Sequence, residues 1–74
     1  MESDHLSDEA VAALLKALAA EHGGRVAIEH VDGHWRAGFA VRDELGEIVI
    51  RLSVDAPDRA AVMRKLWKVA SHAP

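Results

Sequence analysis

The chain has no cysteine and no tyrosine. Without cysteine there is no disulfide framework and no thiolate metal site. No glycine-rich phosphate loop is present either. The remaining hydroxyl nucleophiles, Ser3, Ser7, Ser53 and Ser71, all fall where helix capping or simple surface exposure accounts for them. Aromatic residues make up only 4% of the chain although 50% of it is hydrophobic. Much of the apolar content is therefore alanine, which buries little area per residue. No apolar run approaches the ~20 residues of a membrane span. Positive charge is not in excess. The formal net charge of -3 argues against a general nucleic-acid binder, which needs a basic surface to meet phosphates. The opening Met1-Glu2-Ser3-Asp4-His5 is acidic and polar, unlike the basic start of a signal peptide. A cytoplasmic location is the expectation.

What is present is enough for one small domain. Its 74 residues lie near the lower limit for an independent core, so stability is expected to be modest or helped by self-association. Residues 1–5 are expected to be flexible. Ser7 is a good helix N-cap, and Asp8 and Glu9 suit the positive end of the helix dipole. Leu6 and Val11 fit a hydrophobic staple across that cap. Val11, Leu14, Leu15 and Leu18 follow the spacing of one buried helical stripe. Gly23-Gly24 supplies the left-handed C-terminal cap.

Two turns then divide three strand-like runs. Asp32-Gly33 joins Val26–Val31 to His34–Val41, and an Asp-Gly pair satisfies the positive φ values of a type I′ turn. It pairs Val31 with His34, Glu29 with Arg36, Ile28 with Ala37 and Val26 with Phe39. A four-residue loop at 43–46 leads to Glu47–Val54. It pairs Arg42 with Glu47, Val41 with Ile48, Phe39 with Ile50, Ala37 with Leu52 and Trp35 with Val54. This register places Val26, Ile28, His30, Trp35, Ala37, Phe39, Val41, Ile48, Ile50, Leu52 and Val54 on a core face. Asp55 or Ala56 caps a last helix, with Pro57 in its first turn. Val62, Met63, Leu66, Val69 and Ala70 form its apolar stripe, opposite Arg64, Lys65 and Lys68. The expected class is α+β, in the order α-β-β-β-α, with a three-stranded antiparallel sheet and both helices on one face. Leu14, Trp35, Phe39, Ile50 and Leu66 are expected to meet in the core.

The α-β-β-β-α order resembles the double-stranded-RNA-binding domain over nearly the whole chain, with Gly33-His34 and Phe39 in comparable places. That resemblance implies RNA binding through a lysine-rich start to the second helix. Here the position reads Ala56-Pro57-Asp58-Arg59-Ala60-Ala61, so the phosphate clamp is missing. The closing helix, with Ala56-Pro57, Ala60-Ala61 and Arg64, resembles that of short phage-encoded helix–sheet–helix sandwich proteins. That resemblance implies an accessory protein, such as an inhibitor of a bacterial defence complex of the anti-CRISPR kind.

The residues themselves point to binding rather than catalysis. The five histidines, His5, His22, His30, His34 and His72, include no i, i+4 pair on one helix, and no metal or other cofactor is expected. The acids Asp43, Glu44 and Glu47 read as a solvated loop. The chain is too small to enclose an ordinary substrate pocket, so no enzymatic activity is expected. The open sheet face is the chief candidate surface. Arg36, Arg42 and Arg51 are expected there with Arg25, around a small centre of Gly38 and Ala40 with Val49 beside them. Arginine-rimmed surfaces of this type suit a protein partner. A second surface, Arg64, Lys65, Trp67 and Lys68, offers a basic stripe with an aromatic edge. A protein partner is the first expectation. A nucleic-acid-binding module using Arg36, Arg51 and that stripe is the alternative, and a homodimer joined through open sheet faces is a third reading.

Overall fold

The structure, a computed structural model, describes residues 6–72. The expectation for residues 1–5 lies outside the described residues. Helix α1 spans Asp8–Glu21, strands β1, β2 and β3 span Arg25–Val31, His34–Arg42 and Ile48–Ala56, and helix α2 spans Arg59–His72. The strands form one antiparallel sheet in the order β1-β2-β3. This is the α-β-β-β-α architecture of the α+β class.

Local chemistry accounts for each end of α1. The Ser7 side chain accepts a hydrogen bond from the Ala10 N–H at 3.1 Å, and Leu6 packs against the core. At the other end the Gly23 N–H reaches Ala20 O and the Gly24 N–H reaches Ala19 O. That pair of bonds is a Schellman cap, and Gly23 takes its left-handed position at φ +74. Helix α2 begins later than the sequence suggests. Strand β3 runs on to Ala56, and the cap is Asp58, whose carboxylate accepts from Ala61 N–H at 2.8 Å. Neither Asp55 nor Ala56 caps it, because Asp55 is still in the ladder opposite Arg36.

The core is Val11, Leu15 and Ala19 of α1, Ala37, Phe39 and Val41 of β2, and Val62, Met63 and Leu66 of α2. Helix α1 packs on β1 and α2, and α2 packs on β2 and β3. The buried row of α1 is i, i+4, i+8, so Leu14 is left exposed, contrary to the expected stripe. Val69 is likewise exposed, while Trp67 and Ala70 pack against the core.

The first hairpin has the expected register throughout, from Val31 with His34 to Val26 with Phe39. Asp32 and Gly33 both have positive φ, as the type I′ turn requires. The second hairpin does not. Its ladder pairs Arg42 with Ile48, Val41 with Val49, Ala40 with Ile50 and Phe39 with Arg51. The turn explains the one-residue shift. Asp43 O accepts from Gly46 N–H, Gly46 is left-handed, and Asp43 N–H then reaches Glu47 O. Asp43 Oδ1 also accepts from the N–H groups of Leu45 and Glu47, both at 2.9 Å. The loop therefore closes on Asp43 and Glu47 as a type I turn followed by a left-handed glycine. A slip of one residue turns a strand over.

A bulge turns it back. The ladder is irregular between Ala37 and Phe39, and Ala37 pairs with Val54. Leu52 and Ser53 together stand opposite Gly38, and Leu52 is left-handed at φ 57. Beyond the bulge Val54 and Ala56 pack against the core again. The bulge is what lets one strand hold two registers.

Candidate functional site: the open sheet face and a basic groove

The inversion of β3 before its bulge changes which side chains share a face. Residues opposite one another in a ladder point the same way. Val49 lies opposite Val41 and packs against the core. Arg51 lies opposite Phe39, on the side that carries the helices. Both were expected on the open face, and both are corrected. In their place stand Ile48 and Ile50, which are 57% and 53% exposed. The expected core position of Ile50 is thereby also corrected.

The open face thus has an apolar centre. Ile50 lies beside Ala40, and Arg25 lies on the other side of Ala40. Gly38 is buried beneath its neighbours. A Cβ added there would stand 2.8 Å from Ile50 Cγ2 and 3.1 Å from Arg51 O. The small centre expected to receive a partner is therefore already covered by Ile50. Sequence reading missed both isoleucines. The available signal was Asp43 with Gly46 three residues on, which favours the longer turn.

Charge divides this face into two ends. At one end Arg36 Nε donates to Asp55 Oδ1 at 2.8 Å. His34 Nε2 stands 3.7 Å from the same carboxylate oxygen. Glu29 lies opposite Arg36 in the neighbouring ladder. That end is internally paired. At the other end are Arg25 and Arg42, on the rim of Ile48 and Ile50. Arg42 Nη1 donates to Gly46 O at 2.6 Å, which holds the guanidinium against the second turn.

The hydrogen bond from Arg36 holds the Asp55 carboxyl below the ordinary aspartate value against the opposing effect of desolvation, and the charges of Arg36, His34 and Lys65 add to the lowering. The same bond raises Arg36. Because the folded value of Asp55 is depressed, its contribution to stability is present above the unfolded carboxylate range. It is lost as pH falls through the folded value. In an NMR titration of the side-chain carboxyl, Asp55 should have a midpoint below that of an unpaired aspartate, and Arg36→Gln should move it upward. An unchanged midpoint would mean the pair does not form in solution.

The basic stripe of α2 is largely occupied by the fold itself. Arg64 Nη2 donates to Leu6 O at 2.6 Å and to Asp8 Oδ1 at 2.8 Å, tying α2 to the start of α1. Lys65 Nζ donates to Asp55 O at 2.9 Å, tying α2 to the end of β3. Trp67 covers the rim of the core. Lys68 is exposed.

At the far end of the sheet His22, Phe39, Val41, Arg51 and Leu52, together with Arg42 from the rim of the open face, line a groove of about 370 Å³. Among the described residues no cluster of histidine and carboxylate side chains is arranged to hold a metal ion. No helix among them is long and apolar enough to cross a membrane. What the fold and these surfaces define is a small α-β-β-β-α protein with one open, partly apolar sheet face. Comparison with protein-family models, curated proteins and solved structures finds no match, so both family resemblances stand on their residues alone.

Proposed function

We propose that this chain is a non-enzymatic protein-binding module that docks through the open face of its sheet. The carrying observation is the pair Ile48 and Ile50, both more than half exposed on a face that no helix covers. Water contact at two neighbouring isoleucines is unfavourable, and burying each against a partner is worth about 1.5–3 kcal/mol. Arg25 and Arg42 at the rim add polar contacts and steer the encounter. The paired end, with Arg36 and Asp55, supplies a rigid polar border.

The nucleic-acid reading is weaker. It relied on Arg36, Arg51 and the α2 stripe acting together. Arg36 is paired with Asp55, while Arg64 and Lys65 hold elements of the fold together. Arg51 lies on the opposite side of the sheet from Arg36.

The test is affinity capture followed by binding measurements with the recovered partner, using Ile50→Asp and Ile48→Asp. Both side chains are exposed, so each variant should keep its circular dichroism and melting curve. An interface anchor is worth about 2 kcal/mol or more, so each change should weaken binding roughly 30-fold or more. Sedimentation of the protein alone examines the homodimer reading, in which the same changes would dissociate the dimer. Two folded variants that bind every recovered partner normally would sink the sheet-face proposal.

A further inference from the structure

We infer that the groove at the C-terminal end of α1 is a second binding site, meeting the open sheet face only at Arg42, for a small monocarboxylate with an apolar body. Its floor is Phe39 and Val41, core side chains that reach this surface. Its sides are His22, Arg42, Arg51 and Leu52. Two arginines and a histidine line it, and no acidic side chain does, in a chain whose formal net charge is -3.

The two arginines are differently placed. Arg42 is held by its bond to Gly46 O, so part of its guanidinium is already oriented. The Arg51 guanidinium makes no hydrogen bond or ion pair with the described residues. Its fork of N–H donors is therefore free to take a carboxylate in bidentate fashion. Of the two left-handed non-glycine residues among those described, the one outside the first hairpin turn borders the same groove. Leu52 is left-handed, a conformation that is unfavourable for a residue with a Cβ. Strain of this type collects at ligand sites, where the surrounding structure holds it. Here it carries Leu52 to the groove beside Arg51.

Size and charge narrow the ligand. A groove of about 370 Å³ is within the range of small-molecule sites. A cavity of about 150 Å³ holds a benzene, so this one accommodates a two-ring or medium-chain body. Asp43 and Glu44 border the adjoining depression together with Arg42 and Arg51. Their charge disfavours multiply charged anions such as phosphate. A single carboxylate on an apolar body meets both the guanidiniums and the floor.

The probe is 2-naphthoate, followed by calorimetry and by backbone amide NMR on the whole chain. It should bind saturably, with the largest shifts at Phe39, Val41, Arg51 and Leu52. Its neutral amide should bind at least about tenfold more weakly, and inorganic phosphate should not compete. Arg51→Gln should lower affinity about tenfold or more, and Arg51→Lys should restore part of it. Arg36→Gln, on the other face, should leave binding unchanged. Arg51 is exposed, so its variants should fold, and a melting curve for each is the control. The proposal is overturned by any of three results: no saturation up to about 10 mM, equal binding of acid and amide, or shifts centred on Ile48 and Ile50. The open-face variants Ile48→Asp and Ile50→Asp change no residue lining this groove and leave the shared Arg42 in place, so the two sites fail or succeed independently.

Discussion

Truncation of Phe39 to alanine is expected to destabilise the protein by about 3–5 kcal/mol. Phe39 is 3% exposed and is the one phenylalanine of the chain. It sits in the central strand, paired with Val26 on one side and Arg51 on the other. The alanines around it cannot close the space its ring would leave. Domains of this size have on the order of 5–15 kcal/mol in total, so the loss would leave a large unfolded fraction. Denaturant unfolding followed by circular dichroism measures it. A Phe39→Ala variant with near-normal stability would mean that the core is not centred on β2.

The second large effect is expected at Gly24, where a single methyl should be poorly tolerated. A Cβ at this position would overlap the Ala40 carbonyl oxygen and lie 2.6 Å from Val41 Cγ1. The carbonyl belongs to β2, opposite Arg25, and cannot rotate away without parting β1 from β2. Overpacking of this type costs about 1–3 kcal/mol and occasionally more, and contact with backbone sets it at the upper end. Gly24→Ala should therefore unfold at lower denaturant concentration than Gly23→Ala. At Gly23 an added Cβ meets nothing within 4 Å, and the cost is that of the left-handed backbone alone. If the two variants were equally stable, close packing of the α1–β1 link against β2 would be disproved.

The two hairpins show how far local chemistry determines this fold. Asp32-Gly33 leaves the chain one economical way to reverse, and the whole β1–β2 register follows from it. At Asp43–Glu47 two turn lengths are compatible with the hydrophobic pattern. Ile48, Ile50 and Leu52 alternate as if for a core, and so do Val49, Val54 and Ala56 once a bulge intervenes. Hydrophobic alternation could not choose between them. The side chain of Asp43, accepting two N–H groups, stabilises the longer closure that the packing of β3 selects.

Helix-to-helix ties were equally illegible. Arg64 and Lys65 read as a basic stripe open to a partner because their acceptors, Leu6 O, Asp8 Oδ1 and Asp55 O, are distant in sequence. Leu14 and Leu15 are equivalent in a periodicity count. Only the packing of α1 against both β1 and α2 buries Leu15 and exposes Leu14.

The amino-acid sequence by itself determined the order of elements, the first hairpin, the caps of α1 and the absence of thiol chemistry. These depend on residue types within a few positions of one another, where propensity and steric limits on φ act directly. The tertiary structure alone decided which face of β3 is buried. Burial of Val49, Val54 and Ala56 beneath α2 requires a register that exposes Ile48 and Ile50 and a left-handed bulge at Leu52 to recover the alternation. That choice moved Arg51 from the open face to the groove, and with it the chemistry available on each side of the sheet.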